Sequence, residues 1–475
     1  MNTYDDDTAP PPSAIPTPGN DGPACGGGTL RATCPATYFV CFSNVASRFV
    51  AVYLAYRGLF FSLGDYVPFV GPFSGLLAWF VWAAKAVEWW VATTAAGVVL
   101  PSGVAWPSLV PARYSDVVRS AAIALAISVA WALAVGCRPL GAKTSDGIRT
   151  IVRYALAFLT LFYGFNKVFP NQFSDPGPHK LMQPFGEASP VALLWTFMGY
   201  SPVYTMFAGW LEVIGGMLLF WRRTTLLGAL VLVGVLMNVV MLNFCYDVGV
   251  EVRAVHYLLM AAFLIAPDSR RLLDLLVLNR PAPAAVLQPC AIADRRLRGG
   301  LMAVKAVLIA AVISLLVLMN SMNWWTSGTP DRLDGFYRVK AFALDGVQDM
   351  NVPDDRRWVR VAITARPHTN SFVNMQRANG DQEIAMVMID RSKGILGNFM
   401  MPFQGDSGDF RQRFSRGGDP DTSLKYKFAD DGTLTLEGRF RGSAVTARLA
   451  RQPSDEFPLL HRRFDWRNND LWYWR

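Results

Sequence analysis

The sequence predicts a membrane α-helical bundle of about seven transmembrane helices, followed by an all-β antiparallel sandwich or small barrel. Three observations carry this. Of the 475 residues, 52% are hydrophobic and only 17% charged, where soluble domains carry about a quarter charged residues. Seven apolar runs are long enough for the ~20-residue helix that crosses a hydrocarbon core. From about residue 330 these runs give way to period-two alternation, the pattern of half-buried strands.

Residues 1–40 are rich in Pro, Gly and Asp and begin with an acidic cluster, so they read as a disordered tail rather than a signal peptide, with Gly26 to Gly28 as linker. The apolar runs lie near 44–63, 119–137, 150–168, 202–221, 224–243, 251–267 and 301–321. A further run at 73–99 contains "FVWAAKAVEWW", whose Lys85, Glu88, Trp89 and Trp90 suit a helix at the membrane surface or dipping partway in. Counted as a full span, it gives eight spans and puts the tail outside. The net charge of +9 comes from Lys and Arg in short segments between apolar runs, the pattern of membrane topology and not of a nucleic-acid surface. "CRPLGAKTSDGIRTIVR", "WRRTT" and "PDSRR…ADRRLRG" occupy alternate gaps, whereas Lys180 alone supplies a lysine or arginine between 170 and 200. The basic gaps therefore face the cytoplasm, with the tail inside and residues 322–475 in the periplasm. The divisions that follow are membrane helices over 41–148, a four-helix core over 149–275, a basic cytoplasmic loop over 276–300, the last span over 301–321, and the β-domain. Within that domain "RWVRVAITA", "EIAMVMID", "SLKYKFA", "TLTLEGRF" and "SAVTARLA" alternate as strands, and Asp431-Gly432 marks a tight turn. Trp466, Trp472 and Trp474 close the chain in an aromatic, basic tail that suits a barrel mouth or a lipid surface.

Glu212 stands inside "GWLEVIGGMLLFW". A carboxylate at mid-bilayer costs about 3 kcal/mol or more, so it must be partnered, protonated or facing water. Ala208, Gly215 and Gly216 share its helical face and permit close approach of another helix. At about 1.5 Å rise per residue, Glu212 lies roughly 15 Å below the outer end of its helix, with Asn238 and His256 roughly 8 Å deep. Above them come Tyr163, Asn166 and Lys167, then Asn243, Tyr246, Asp247, Glu251 and Arg253. Polar groups from four helices thus converge on one outward-facing pocket. Each also has a plainer reading. Lys167 can snorkel to the headgroups, Asp247 and Arg253 can pair to order a turn, and His256 can be a packing histidine. A carboxyl at the depth of Glu212 has no packing use.

Other chemistries are not encoded. Cys25, Cys34, Cys41, Cys137, Cys245 and Cys290 form no CxxC pair and no metal-ligand spacing. His179, His256, His368 and His461 leave no bis-histidine haem site, since one alone falls in a span. "GDSG" at 405–408 lacks the upstream segments of a serine protease, and neither a dinucleotide fingerprint nor a P-loop occurs. No cofactor is encoded, so any electrons arrive with a partner or a diffusible substrate.

"RYALAFLTLFYGFNKVFPNQF", "SPVALLWTFMGYSPVYTMFAGWLEVIGGMLLFWRRTT", "GALVLVGVLMNVVMLNFCYDVGVEV" and "HYLLMAAFLIAPDSRRLL" together resemble the DoxX family of bacterial membrane proteins. The resemblance covers about 150–275, extends loosely to the flanking spans and "RRFDWRNN", and is similar, more distantly, to the membrane part of vitamin K-dependent carboxylases. It implies a DoxX-like four-helix core that serves quinone chemistry. By position the resemblance carries over Lys167, Glu212, Asn238, Asn243, Tyr246 and Asp247; together with the converging polar groups this gives Glu212 and Lys167 as the expected catalytic groups and Tyr163, Asn166, Asn238, Asn243, Tyr246, Asp247, Arg253 and His256 as the expected ligand-binding groups, with no metal. The partners it implies are a membrane lipid or quinone, a redox partner subunit and a second copy of the chain. The added β-domain departs from short family members. A non-catalytic membrane scaffold and a lipid-modifying enzyme using Glu212 or Lys167 as base are the rival expectations.

Overall fold

The computed structural model describes residues 35–66, 112–136, 138–284, 294–327, 331–366, 371–400, 419–454 and 457. The tail before Pro35, the run at 73–99, the "GDSG" sequence and the closing aromatic tail lie outside the described residues.

The helices are α1 (Pro35–Tyr66), α2 (Ala112–Val135), α3 (Ala142–Val168), α4 (Pro178–Leu181), α5 (Pro190–Tyr200), α6 (Pro202–Leu218), α7 (Thr225–Cys245), α8 (Glu251–Ile265), α9 (Ser269–Leu276) and α10 (Arg295–Ser327). A helix stands at each of the seven expected positions. Among the described residues three, α3, α7 and the α10 segment, are long and apolar enough to cross a membrane. Helices α6 and α8 have 17 and 15 residues, short of the usual ~20-residue span. Helix α1 starts at Pro35, inside the segment expected to be disordered. Cys41 is disulfide-bonded, and Cys245 carries a free thiol.

Helix α3 is the hub, packed against α1, α6, α8 and α10, with Leu156, Leu159 and Leu161 fully buried. Glycines set its distance from α6. A methyl group on Gly209 would stand 2.7 Å from the Gly164 carbonyl oxygen, and one on Gly216 would stand 2.5 Å from Thr160 Oγ1. The two backbones touch where a side chain would hold them apart. Gly215 and Gly228 bring α6 and α7 together in the same way.

Arg222 pairs with Asp146 at 2.7 Å, Arg149 donates to the Leu264 carbonyl at 3.0 Å, and Lys305 donates to the Phe220 carbonyl at 2.8 Å. These contacts gather the start of α3, the ends of α6 and α8 and the early turns of α10 at one end of the bundle. At the other end Asn171 donates to the Asn320 carbonyl at 2.9 Å, and the β-domain follows.

Its strands are β1 (Gly335–Leu344), β2 (Val347–Gln348), β3 (Trp358–Thr364), β4 (Ser371–Arg377), β5 (Gln382–Asp390), β6 (Ile395–Met400), β7 (Asp419–Phe428), β8 (Leu434–Phe440) and β9 (Ser443–Gln452). Each of β3 to β8 pairs antiparallel with the next, β3 pairs with β1, and β1 pairs with β9, which closes an eight-stranded barrel with β2 as an overhang on β1. The expected choice between sandwich and barrel thus falls to the barrel. Tyr337, Val361, Ile363, Val373, Leu424, Leu436 and Leu449 fill its interior. The β7–β8 turn runs from Ala429 to Thr433, closed by the Ala429 N–H to the Thr433 carbonyl at 2.8 Å, with Gly432 at φ +80°. It is a three-residue loop with glycine in the left-handed position rather than a two-residue turn.

The barrel sits on the loop between α3 and α5. The His179 ring stacks on Phe372, with centroids 4.5 Å apart. Its backbone N–H donates to Thr364 Oγ1 at 3.2 Å, and the Thr364 hydroxyl faces His179 Nδ1 at 2.7 Å. Asn374 donates to the His179 carbonyl at 3.0 Å and Gln382 to the Met182 carbonyl at 2.9 Å. Burial, helped by nearby Lys180 and Arg366, pushes the His179 imidazole down to about 3. It is therefore neutral at physiological pH.

Candidate functional site

Lys167 and Glu212 form the centre of the site. Lys167 Nζ lies 2.5 Å from Glu212 Oε1, with side chains 9% and 4% exposed. The glycine contact between α3 and α6 creates this pair: Gly209 lies against Lys167 Cβ, so Glu212 stands one turn further along α6, facing the ammonium. Lys167 therefore turns inward instead of snorkelling, in the last turn of α3, and meets Glu212 ten residues along α6 from Pro202. Glu212 Oε2 is buried with no hydrogen-bond partner among the described residues.

The pair borders a cavity of about 530 Å³ enclosed by α3, α5, α6, α7, α8 and the loop after α3. Tyr163, Lys167, Glu212, Asn238, Asn243 and Arg253 line it, so six of the ten expected site residues come together. Arg253 donates to the Tyr163 hydroxyl at 2.8 Å, and Tyr163 packs beside Tyr257 with ring centroids 5.9 Å apart. Asn243 donates to the Val239 carbonyl of its own helix at 2.6 Å, which leaves its side-chain oxygen as the acceptor. The remaining wall is mostly apolar, formed chiefly by Phe173, Leu194, Trp195, Met198, Phe207 and Leu242, with Thr160 and Gln172 as further polar members. Such a chamber accepts a molecule with a polar head and an oily body.

Four expected residues lie elsewhere. Asn166 donates to the Phe162 carbonyl at 2.9 Å and ties down the loop after α3. Tyr246 packs behind the wall with Phe173, Leu194 and Met198. Asp247 adopts φ +47° in the α7–α8 turn, a conformation that costs most residues but is accessible to aspartate. His256 faces α1: its Nδ1 donates to the Val252 carbonyl at 2.6 Å, so Nε2 accepts from Tyr53 at 2.5 Å. His256 was expected at the pocket, but Arg253, Ala254 and Tyr257 are the α8 residues that face the cavity.

The sequence reading missed Phe173, Trp195 and the whole of α5, which roofs the chamber. The available signal was a pair of Ser-Pro steps. Ser189 Oγ accepts the Ala192 N–H at 3.3 Å and Ser201 Oγ accepts the Tyr204 N–H at 3.4 Å, with proline at the first position of each helix.

The chain is 34% identical over 123 residues, 26% of its own length and 78% of the relative's, to the uncharacterized protein YwoB of Bacillus subtilis (strain 168). The chain belongs to the YwoB family. No family model matches it, and no solved structure does. Because the match takes in most of YwoB but about a quarter of this chain, this member of the YwoB family carries a large addition to the shared unit.

Proposed function

We propose that this chain is an inner-membrane, DoxX-like protein that holds the headgroup of an isoprenoid quinone, or of a lipid shaped like one, for a redox partner. The carrying observation is the buried Lys167–Glu212 pair beside a mostly apolar cavity of about 530 Å³ that Tyr163, Asn238, Asn243 and Arg253 also line. A quinone offers carbonyl acceptors and an isoprenoid tail. Lys167 and Arg253 supply donors for the first, and Phe173, Leu194, Trp195 and Phe207 a surface for the second. The acid beside the lysine gives a protonatable group next to the head, as a hydroquinone requires. Electrons come from the partner, since no redox group is encoded.

In this reading the bundle crosses the membrane seven times with its N-terminus in the cytoplasm. The concentration of Arg149, Arg153, Arg222 and Lys305 at the end away from the cavity supports that orientation, with the barrel in the periplasm as the docking module. The direct pairing of Lys167 with Glu212 also favours one rival, a scaffold in which the pair fixes α3 against α6.

Trp195 in the cavity wall gives the test. A short-chain quinone added to the detergent-solubilised protein is expected to quench Trp195, read as the difference from Trp195→Phe, and Glu212→Gln is expected to weaken that quenching. Equal quenching in both proteins removes the quinone reading and leaves the scaffold.

A further inference from the structure

A second cavity, of about 540 Å³, lies between the loop after α3 and the base of the barrel, with Asp175, Asp334, Arg366 and Arg451 among its lining. It is separate from the bundle cavity and shares no lining residue with it. Its charges are unusually disposed. Arg451 donates to the Asp334 carbonyl at 2.7 Å, which holds its guanidinium at the rim with further donors unspent. The Asp334 carboxylate accepts the Ala365 N–H at 3.0 Å, and burial pushes its pKa up against the pull of Arg366 and Arg451. Asp175 and Arg366 have no hydrogen bond or ion pair among the described residues, although they carry opposite charges and border one cavity. A bare anion meets two carboxylates there, and a bare cation meets two guanidiniums. A ligand carrying both charges matches the whole lining.

We propose that this junction cavity binds a zwitterionic phospho-amine headgroup, its phosphate between Arg366 and Arg451 and its ammonium at Asp175. Planar guanidinium groups match phosphate oxygens in pairs, and a primary ammonium gives a carboxylate up to three donors. The site stands where the helical bundle meets the barrel, the level at which headgroups lie in the proposed topology. The chemistry is shared by phosphatidylethanolamine and free phosphoethanolamine.

The test uses the full chain in mild detergent, with lipid binding read by native mass spectrometry. Phosphatidylethanolamine is expected to bind in preference to phosphatidylglycerol. Arg366→Gln is expected to weaken it roughly tenfold or more, the value of a charge-assisted hydrogen-bond pair. Asp175→Asn is expected to abolish the preference between the two lipids, and Glu212→Gln to leave it intact, which separates this site from the bundle cavity. Free phosphoethanolamine binding with the same dependence assigns the ligand to solution, and binding of the lipid alone assigns it to the bilayer. Wild-type binding by both cavity variants, or equal binding of the two lipids by the wild type, overturns the proposal. If Arg366→Gln loses its thermal transition, Arg366→Lys keeps the charge without the paired geometry. Weaker binding by that variant supports the site and unchanged binding overturns it.

Discussion

Lys167→Met isolates the energetics of the buried pair. The Lys167 ammonium is the protein donor to Glu212 Oε1 at 2.5 Å, and Oε2 already lacks a partner among the described residues, so the substitution strips the carboxylate of its compensation at 4% exposure. Breaking a buried pair from one side costs about 3–5 kcal/mol. Glu212→Leu leaves the ammonium stranded and is expected to cost a similar amount. The double variant Lys167→Met/Glu212→Leu removes both charges and is expected to recover most of the loss, since apolar replacement of a buried pair is often neutral or stabilising by about 1–4 kcal/mol. Denaturant unfolding of the four proteins in one detergent gives the coupling. Single losses under about 1 kcal/mol, the range of a solvated surface pair, refute the inference that the cavity shields these groups from water. The double variant also separates function from stability, because a restored fold with an empty cavity assigns the pair to ligand binding.

Two further outcomes are expected. Gly209→Ala places a methyl 2.7 Å from the Gly164 carbonyl oxygen and is expected to lower stability by about 1–3 kcal/mol through overpacking; Gly234→Ala meets no atom within 4 Å and is expected to be neutral or slightly stabilising by thermal unfolding. Because the His179 pKa falls from its ordinary 6.5 to about 3 on folding, the unfolded state binds the extra proton between those values, so the docking of the loop on β3 and β4 is full above pH 6.5 and weakens as pH falls towards 3. Proteolysis of residues 170–190 at neutral and acid pH checks this: the wild type is expected to become susceptible on acidification, His179→Gln is expected to show a smaller change, and equal pH dependence in the two contradicts it.

Helix positions were legible because apolar runs of bilayer length report burial directly, whereas the roof helix α5 was too short to be read as a span. Strands β3, β5, β7, β8 and β9 were legible from alternation alone. Besides the two-residue β2, three were not, each for a local reason. In β1 a bulge between Val339 and Ala341 shifts the inward set from Tyr337 and Val339 to Phe342 and Leu344. In β4 the outward residues Phe372 and Asn374 are covered by His179, so both faces are buried in part and the two-residue period blurs. In β6 Gly397 and a bulge before Phe399 interrupt a strand of six residues. At the site, composition and depth identified Glu212 and most of its polar neighbours. Which side of α8 faces the cavity depends on where α1 packs, and no single helix encodes that. His256 was misplaced for this reason, and Tyr257 overlooked.

The most direct measurement of the proposed ligand is quantitative extraction of quinones from the protein purified in mild detergent, compared with the Lys167→Met/Glu212→Leu double variant at matched folding. The expected result is near-stoichiometric quinone in the wild type and its loss from the folded double variant. Equal quinone in the two, or none in either when quinone is supplied in excess, contradicts the proposal and leaves Lys167 and Glu212 as a helix-packing pair.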